Sequence, residues 1–240
     1  MKRRVSRETW DAEMLCRRPN VSGCVFPHFD MNVHVRAYAG GQKAQGRGQN
    51  QTGTSDAPLS DSAFCPLPSA LSLALDFGFH NPFVCLWVAT TKGGVVHVVD
   101  EYVQSGRTLA EHLEHIEGRR RWGKVRRVAC DPAGAARNDQ TAESDVRLLR
   151  RNGYDVHTRH TRIADGLEAI RAALRPAHGE PTLFVDPNCP RLIRALRSYH
   201  YPDGGGELPV KDGEHDHLID ALRYWFMNRE GRNKVTVREY

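Results

Sequence analysis

Two apolar runs in this chain stop on an aspartate: LSLALDF carries Asp76 and VRRVACD ends on Asp131. A third aspartate, Asp220, lies in GEHDHLIDALRYWF, with Asp216 and His217 one turn before it. Hydrophobic strands that end on a carboxylate place it at a sheet's carboxyl edge, where α/β proteins gather their ligand sites. Carboxylates brought together from distant segments suit hard Mg²⁺ or Mn²⁺. Such ions take oxygen ligands, and two of them roughly 3.5–4 Å apart clamp the attacking and leaving oxygens of a phosphodiester. Any one of these aspartates alone reads as a turn former or helix cap. The order (strand–Asp, hairpin, helix, strand–Asp, crossovers, helix–Asp) is what points to metal-ion chemistry.

The closing segment predicts a helix from about Glu214 to Asn228, with Leu218, Ile219, Leu222, Trp225 and Phe226 on its buried face. Asp216, His217, Asp220 and Tyr224 then fall on the opposite side. His217 and Asp220, at i and i+3, are neighbours able to share a metal or a phosphate, against the alternative of a solvated polar face. Asp139, Glu143 and Asp145 follow Asp131 and are each either a fourth ligand or helix-surface charge. The richest basic stretch is GRRRWGKVRR over 118–127. It offers Arg119, Arg120, Arg121 and Lys124 as phosphate contacts with Trp122 interleaved, or else a solvated loop. Lys211, in SYHYPDGGGELPVKDGEHD, is a further candidate contact.

The elements that must position these groups are legible. Strands are predicted over 71–77, 84–90, 95–103, 125–131, 154–158 and 182–186, with Lys92-Gly93-Gly94 as a hairpin turn. Helices are predicted over 108–118, 139–152, 163–174 and 188–198, ahead of the closing one. An antiparallel pair leading into strand–helix–strand crossovers makes a mixed-sheet α/β domain over 66–230, with helices for both faces. Residues 1–40 carry scattered apolar anchors, 41–65 are rich in Gly, Gln, Ser and Thr and read as a flexible linker, and 231–240 are a tail.

Composition narrows the classes. The chain has 240 residues, 40% of them hydrophobic and 26% charged, which excludes wholesale disorder. There is no run of 18 apolar residues to predict a bilayer span, and MKRRVSRETW lacks a signal core. Six scattered cysteines without a CxxC pair argue against a zinc site or disulfide framework and fit a reducing cytosol. The net charge of +5 is uneven: 119–197 holds 17 bases against nine acids, while 71–118 holds two against six. A basic middle beside acidic segments fits a phosphate-rich partner.

LALDFG around Asp76, VACDPAG around Asp131 and the closing DHLIDALRYW resemble the C-terminal nuclease domain of the large terminase subunit of tailed bacteriophages and prophages. The stretch SRETWDAEMLCRRPNVSGCVFPHFD is also similar to the segment joining that family's ATPase to its nuclease. The resemblance implies an RNase H-like (retroviral-integrase-like) fold, a mixed central sheet flanked by helices on both faces. It implies a metal-dependent endonuclease that cuts concatemeric double-stranded DNA during packaging in the host bacterial cytoplasm. The family's acidic ligands fall on Asp76, Asp131 and Asp220, and the His of some members on His217, with two Mg²⁺ or Mn²⁺ ions expected. Asp216 is a further candidate ligand. A β-hairpin that approaches DNA in that family falls near 198–216. Its partners would be a packaging ATPase domain, a small terminase and a portal. The GxxxxGK[ST] phosphate loop of that ATPase does not occur in this sequence, so the nuclease half alone is expected here. Two other readings stay open: another RNase H-like nuclease or recombinase of resolvase or integrase type, and a catalytically dead DNA-binding remnant.

Overall fold

Valine, leucine and alanine make up most of the central strands, and the computed structural model shows how their two faces are covered. It describes residue 6 and residues 23–38, 70–135, 144–203 and 206–229. The expected linker over 41–65, the tail, Asp139, Glu143 and the side chain of Arg120 lie outside the described residues. Strand β1 (Ala70–Asp76) pairs antiparallel with β2 (Phe83–Thr90), and β2 with β3 (Val96–Gln104). The β2–β3 turn closes at Gly94, whose φ of 81° only glycine adopts without strain. Its N–H is bonded to the Thr91 carbonyl at 3.0 Å.

The remaining strands add in parallel: β4 (Arg127–Cys130) beside β1, β5 (Asp155–His157) beside β4, and β6 (Leu183–Val185) beside β3. The order across the six strands is β5-β4-β1-β2-β3-β6. Two apolar clusters sandwich this sheet. One face is covered by α2 (Leu109–Gly118) and α3 (Asp145–Arg151), whose Leu113, Ile116, Val146 and Leu149 meet Leu73, Leu75 and Trp87. The other is covered by α4 (Ile163–Leu174), α5 (Pro190–Ser198) and α6 (Asp216–Asn228), packed on Ala74, Val84, Leu86 and Val98. Within the stretch read as an extension, residues 23–38 carry a one-turn helix, α1 (Met31–His34), and bury Val25 and Phe26 in this second cluster.

Local chemistry sets the helix starts. Thr108 and Glu111 cap each other reciprocally at the start of α2. Cys189 gives α5 no side-chain cap. Glu101 of β3 takes that place, accepting from the Arg191 and Leu192 N–H groups at 2.9 Å each. Helix α6 departs from the amphipathic expectation. Leu218, Ile219, Leu222, Trp225 and Phe226 are buried as read from the sequence, yet so are Asp216, Arg223 and Tyr224. The helix lies across β1, β2 and β4 and against α4 and α5, so it has no broad solvated side.

Candidate active site at the carboxyl edge of the central strands

Alternation along β1 sends Leu73 and Leu75 to the α2 side and Ala74 to the α6 side, and Ser72 meets α6 through a 2.8 Å bond from Trp225 Nε1. Ser72, Ala74 and Asp76 therefore line the face under α6. Two small residues let the helix sit close, and Asp76 arrives against it at the strand's end. His217 Nδ1 stands 2.8 Å from Asp76 Oδ2, and Asp76 is only 5% exposed. The β1–β4 register places Leu75 opposite Cys130, so Asp131 leaves the sheet beside Asp76. Asp131 Oδ1 accepts from the Ala133 N–H at 2.9 Å, starting the 3₁₀ turn Pro132–Ala135. Asp220, one turn beyond His217, is paired through Oδ1 with Arg223 Nε at 3.0 Å.

Electrostatics tie the three carboxylates into one group. Burial pushes the Asp76 carboxyl up from 3.8 to about 6; the His217 hydrogen bond opposes this, and the charges of Asp220 and Asp131 add to it. The hydrogen bond to Asp76 raises His217. Burial raises the Tyr224 hydroxyl, with Asp220, Asp76 and Asp131 adding to the push. All three carboxylates thus act on this one phenol. Arg223 is a site residue absent from the sequence-based candidates, although its i+3 spacing from Asp220 is a usable signal. Its stem runs over Gly166 of α4, where an added Cβ would stand 2.0 Å from Arg223 Cγ.

A linkage between pH and stability follows for the metal-free protein. Asp76 binds its proton more tightly folded than unfolded, so its contribution is greatest below its unfolded value of 3.8 and is lost as pH rises through about 6. His217, also raised, contributes fully below 6.5 and loses that contribution as pH rises through its folded value. Both signs agree. Chemical denaturation in chelator is expected to show stability from this pair falling by on the order of 1–3 kcal/mol between pH 4 and 8. Asp76→Asn should flatten the lower part of that slope, and an unchanged slope would refute the assignment.

The remaining candidates divide. Asp216, in the first turn of α6, is buried with no partner on Oδ1 among the described residues. Asp212 organises the approach to α6. Burial raises its carboxyl, but bonds from the His215 and Glu214 N–H groups and from His215 Nδ1 outweigh this and hold it well below the usual range. Lys211 is exposed one residue before it. Asp145 heads α3 on the opposite face of the sheet, where burial raises its carboxyl. The basic stretch runs into β4 at its N-terminal end, and β4 spans four residues, ~13 Å of strand, before Asp131. Arg119 is paired with Asp100 and stacks 5.1 Å from the Trp87 ring centre. Arg121 lies over Trp122, and Lys124 is exposed.

The donor set fits a hard divalent cation in kind. Its groups are carboxylate oxygens and one imidazole, and a buried Asp76 is repelled by two further carboxylates whose charge a cation would relieve. The groups are not gathered as a set: among the described residues no three His, Cys, Asp or Glu side chains stand together as an ion's ligands. Asp76 is turned to His217, Asp131 to its own turn and Asp220 to Arg223.

A mixed sheet with these carboxylates at the edge of its two central parallel strands, crossed by a buried helix, defines an RNase H-like α/β domain. A family model described as the terminase RNaseH-like domain matches residues 73–229, and the chain belongs to that family. The large terminase subunit of Escherichia phage T5 is 28% identical over 159 residues, 63% of this chain and 34% of that protein, so the chain spans about a third of that curated relative. Among solved structures, the nuclease domain of the P22 large terminase matches with a TM-score of 0.60 at 18% identity, over 86% of this chain and 92% of that one. The large terminase nuclease of thermophilic phage G20c, solved with bound cobalt, matches with a TM-score of 0.51 at 13% identity, over 87% of this chain and 98% of that one. These last two likenesses bear on the fold.

Proposed function

We propose that this chain is the DNA-cutting part of a phage or prophage packaging enzyme, a divalent-metal-dependent endonuclease acting on concatemeric double-stranded DNA in the host cytoplasm. The observation that carries the reading is the electrostatic coupling of Asp76, Asp131 and Asp220 at one sheet edge inside a terminase-family domain. Asp76, Asp131 and Asp220 would hold Mg²⁺ or Mn²⁺, two ions being the family's expectation, with Asp216 a further oxygen donor beside them. A bound ion there would supply Lewis-acid polarisation of the phosphodiester and a water of lowered pKa.

The protein's own groups do the rest. His217, held by Asp76 at 2.8 Å, is placed to orient a water or contact the scissile phosphate. Arg223 neutralises Asp220, a role that a bound cation would share. Lys211, ahead of α6, would contact the DNA backbone, and Arg119, Arg120, Arg121 and Lys124 remain further candidate phosphate contacts from the sequence. Partners in packaging would be an ATPase domain, a small terminase and a portal. No helix among the described residues is long and apolar enough to cross a membrane.

One observation favours a second reading, a DNA-binding module that does not cut: no three ligands are gathered for an ion among the described residues. Titrating Mg²⁺ and Mn²⁺ against supercoiled plasmid separates the two. Cleavage should rise with ion concentration and vanish in excess chelator. Retardation of the plasmid without a cut at any ion or protein concentration would establish the binding module instead.

A further inference from the structure

We propose that the cleft on the other face of the sheet, between residues 77–82 and the start of α2, receives an unpaired nucleobase of the DNA beside the cut. The inference rests on the nuclease reading above and names where the strand goes. The cleft, of about 720 Å³, is within the roughly 300–1,000 Å³ usual for small-ligand sites. It begins one residue after Asp76, at Phe77. The Phe77 ring lies directly under the turn that carries Asp131: a Cβ on Gly134 would come within 2.3 Å of it. The cleft wall therefore packs against the turn that follows Asp131.

Its lining suits a base and a phosphate. Phe79 is 52% exposed, the one aromatic among the large apolar side chains left in solvent in the described residues. It is held out by a rigid loop. The Gly106 N–H bonds to the Phe79 carbonyl at 2.8 Å, and Gly78 packs so tightly that a Cβ would stand 2.5 Å from the Asn81 carbonyl oxygen. His80 sets its ring edge-on to Phe79 at 5.3 Å. Below them Phe83 stacks on the buried His112 ring at 4.0 Å. Exposed Arg107 brings a positive charge to the rim, with the Asp145 carboxyl on the far wall. A pinned, exposed aromatic beside a guanidinium is the arrangement by which single-stranded nucleic acid is held without sequence readout.

The test compares two short duplexes in chelator with the full chain, one blunt and one with an unpaired 2-aminopurine overhang, by fluorescence anisotropy and by 2-aminopurine quenching. The parent should bind the overhang duplex more tightly and quench its base. Phe79→Ala should lose about tenfold in affinity for the overhang and nothing for the blunt duplex, and Phe79→Trp should restore the difference. Thermal melting of each variant checks folding, which an exposed ring leaves unchanged. Equal binding of the overhang by Phe79→Ala and the parent, with DNA still bound, overturns the base site alone. Equal losses on both duplexes do the same. Failure of the parent to bind either duplex overturns the DNA-cutting reading and this inference together.

Discussion

Asp76→Asn should lower Mn²⁺-dependent nicking of supercoiled plasmid by at least about a hundredfold, while the metal-free variant melts no lower than the parent at pH 7. The two halves of that result have one cause. Replacing groups that merely support a metal ligand costs 10–100-fold, and Asp76 is proposed as a ligand itself. The same carboxyl is held at 5% exposure, and burial, with the charges of Asp220 and Asp131 adding to it, pushes its pKa to about 6, so at neutral pH its ionised form is a burden on the fold. Asparagine keeps the shape and removes the charge. Fluorescence-monitored melting and a gel assay on the same preparation read both effects. Nicking at the parent's rate would remove Asp76 from the metal site, and a marked drop in melting temperature would show that its bond to His217 outweighs the desolvation.

Arg223→Ala is expected to destabilise the protein by about 3–5 kcal/mol, because it strands a largely buried carboxylate. Spacing alone would not say so. Arg162 and Asp165 also form an i,i+3 pair, at 2.7 Å, but with side chains 84% and 40% exposed. A pair of that kind contributes ~0.5 kcal/mol or less. The Arg223 and Asp220 side chains are 6% and 13% exposed at 3.0 Å, so the cost of leaving Asp220 unpaired dominates. Urea denaturation measures the loss. The double variant Arg223→Ala/Asp220→Ala should recover most of it, and added Mn²⁺ should raise the melting temperature of Arg223→Ala more than that of the parent. A single variant within 1 kcal/mol of the parent would mean that Asp220 is solvated without its partner.

Much of this arrangement is legible from residue order. Short apolar runs bounded by turn residues locate β1, β2 and β3 to within a residue or two, and Ile163, Leu167, Ile170 and Leu174 at helical spacing give α4 its observed bounds. Strands ending on Asp76 and Asp131 are readable because a parallel pairing in register carries both to one edge. Other features are not readable, since periodicity reports which face is apolar and not what will cover it. The polar side of α6 reads as opposite the core, but α4 crosses it, made possible by a glycine 57 positions upstream of the arginine it accommodates (Gly166 and Arg223). The basic run before Asp131 is adjacent to it in sequence, yet Arg119 within it is turned to Asp100 and the Trp87 ring. Residues 23–38 show no periodic run, and their hold on the domain comes from two buried side chains, Val25 and Phe26, and from backbone bonds such as Val25 N–H to the Tyr199 carbonyl at 2.8 Å.

The position of α6 in the chain also sets when the acidic edge can be completed. The β1–β2–β3 meander closes through neighbouring segments and can form early, whereas His217 meets Asp76 across 141 positions. Ribosomes add roughly 5–20 residues per second, so on the order of ten seconds pass between synthesis of the first carboxylate and arrival of the helix that completes its surroundings. Until then Asp76 lacks both its imidazole partner and the cover of α6, and a nascent or truncated product ending before that helix has only two of the three carboxylates. Assembly order thus withholds the complete carboxylate group until the domain is nearly finished.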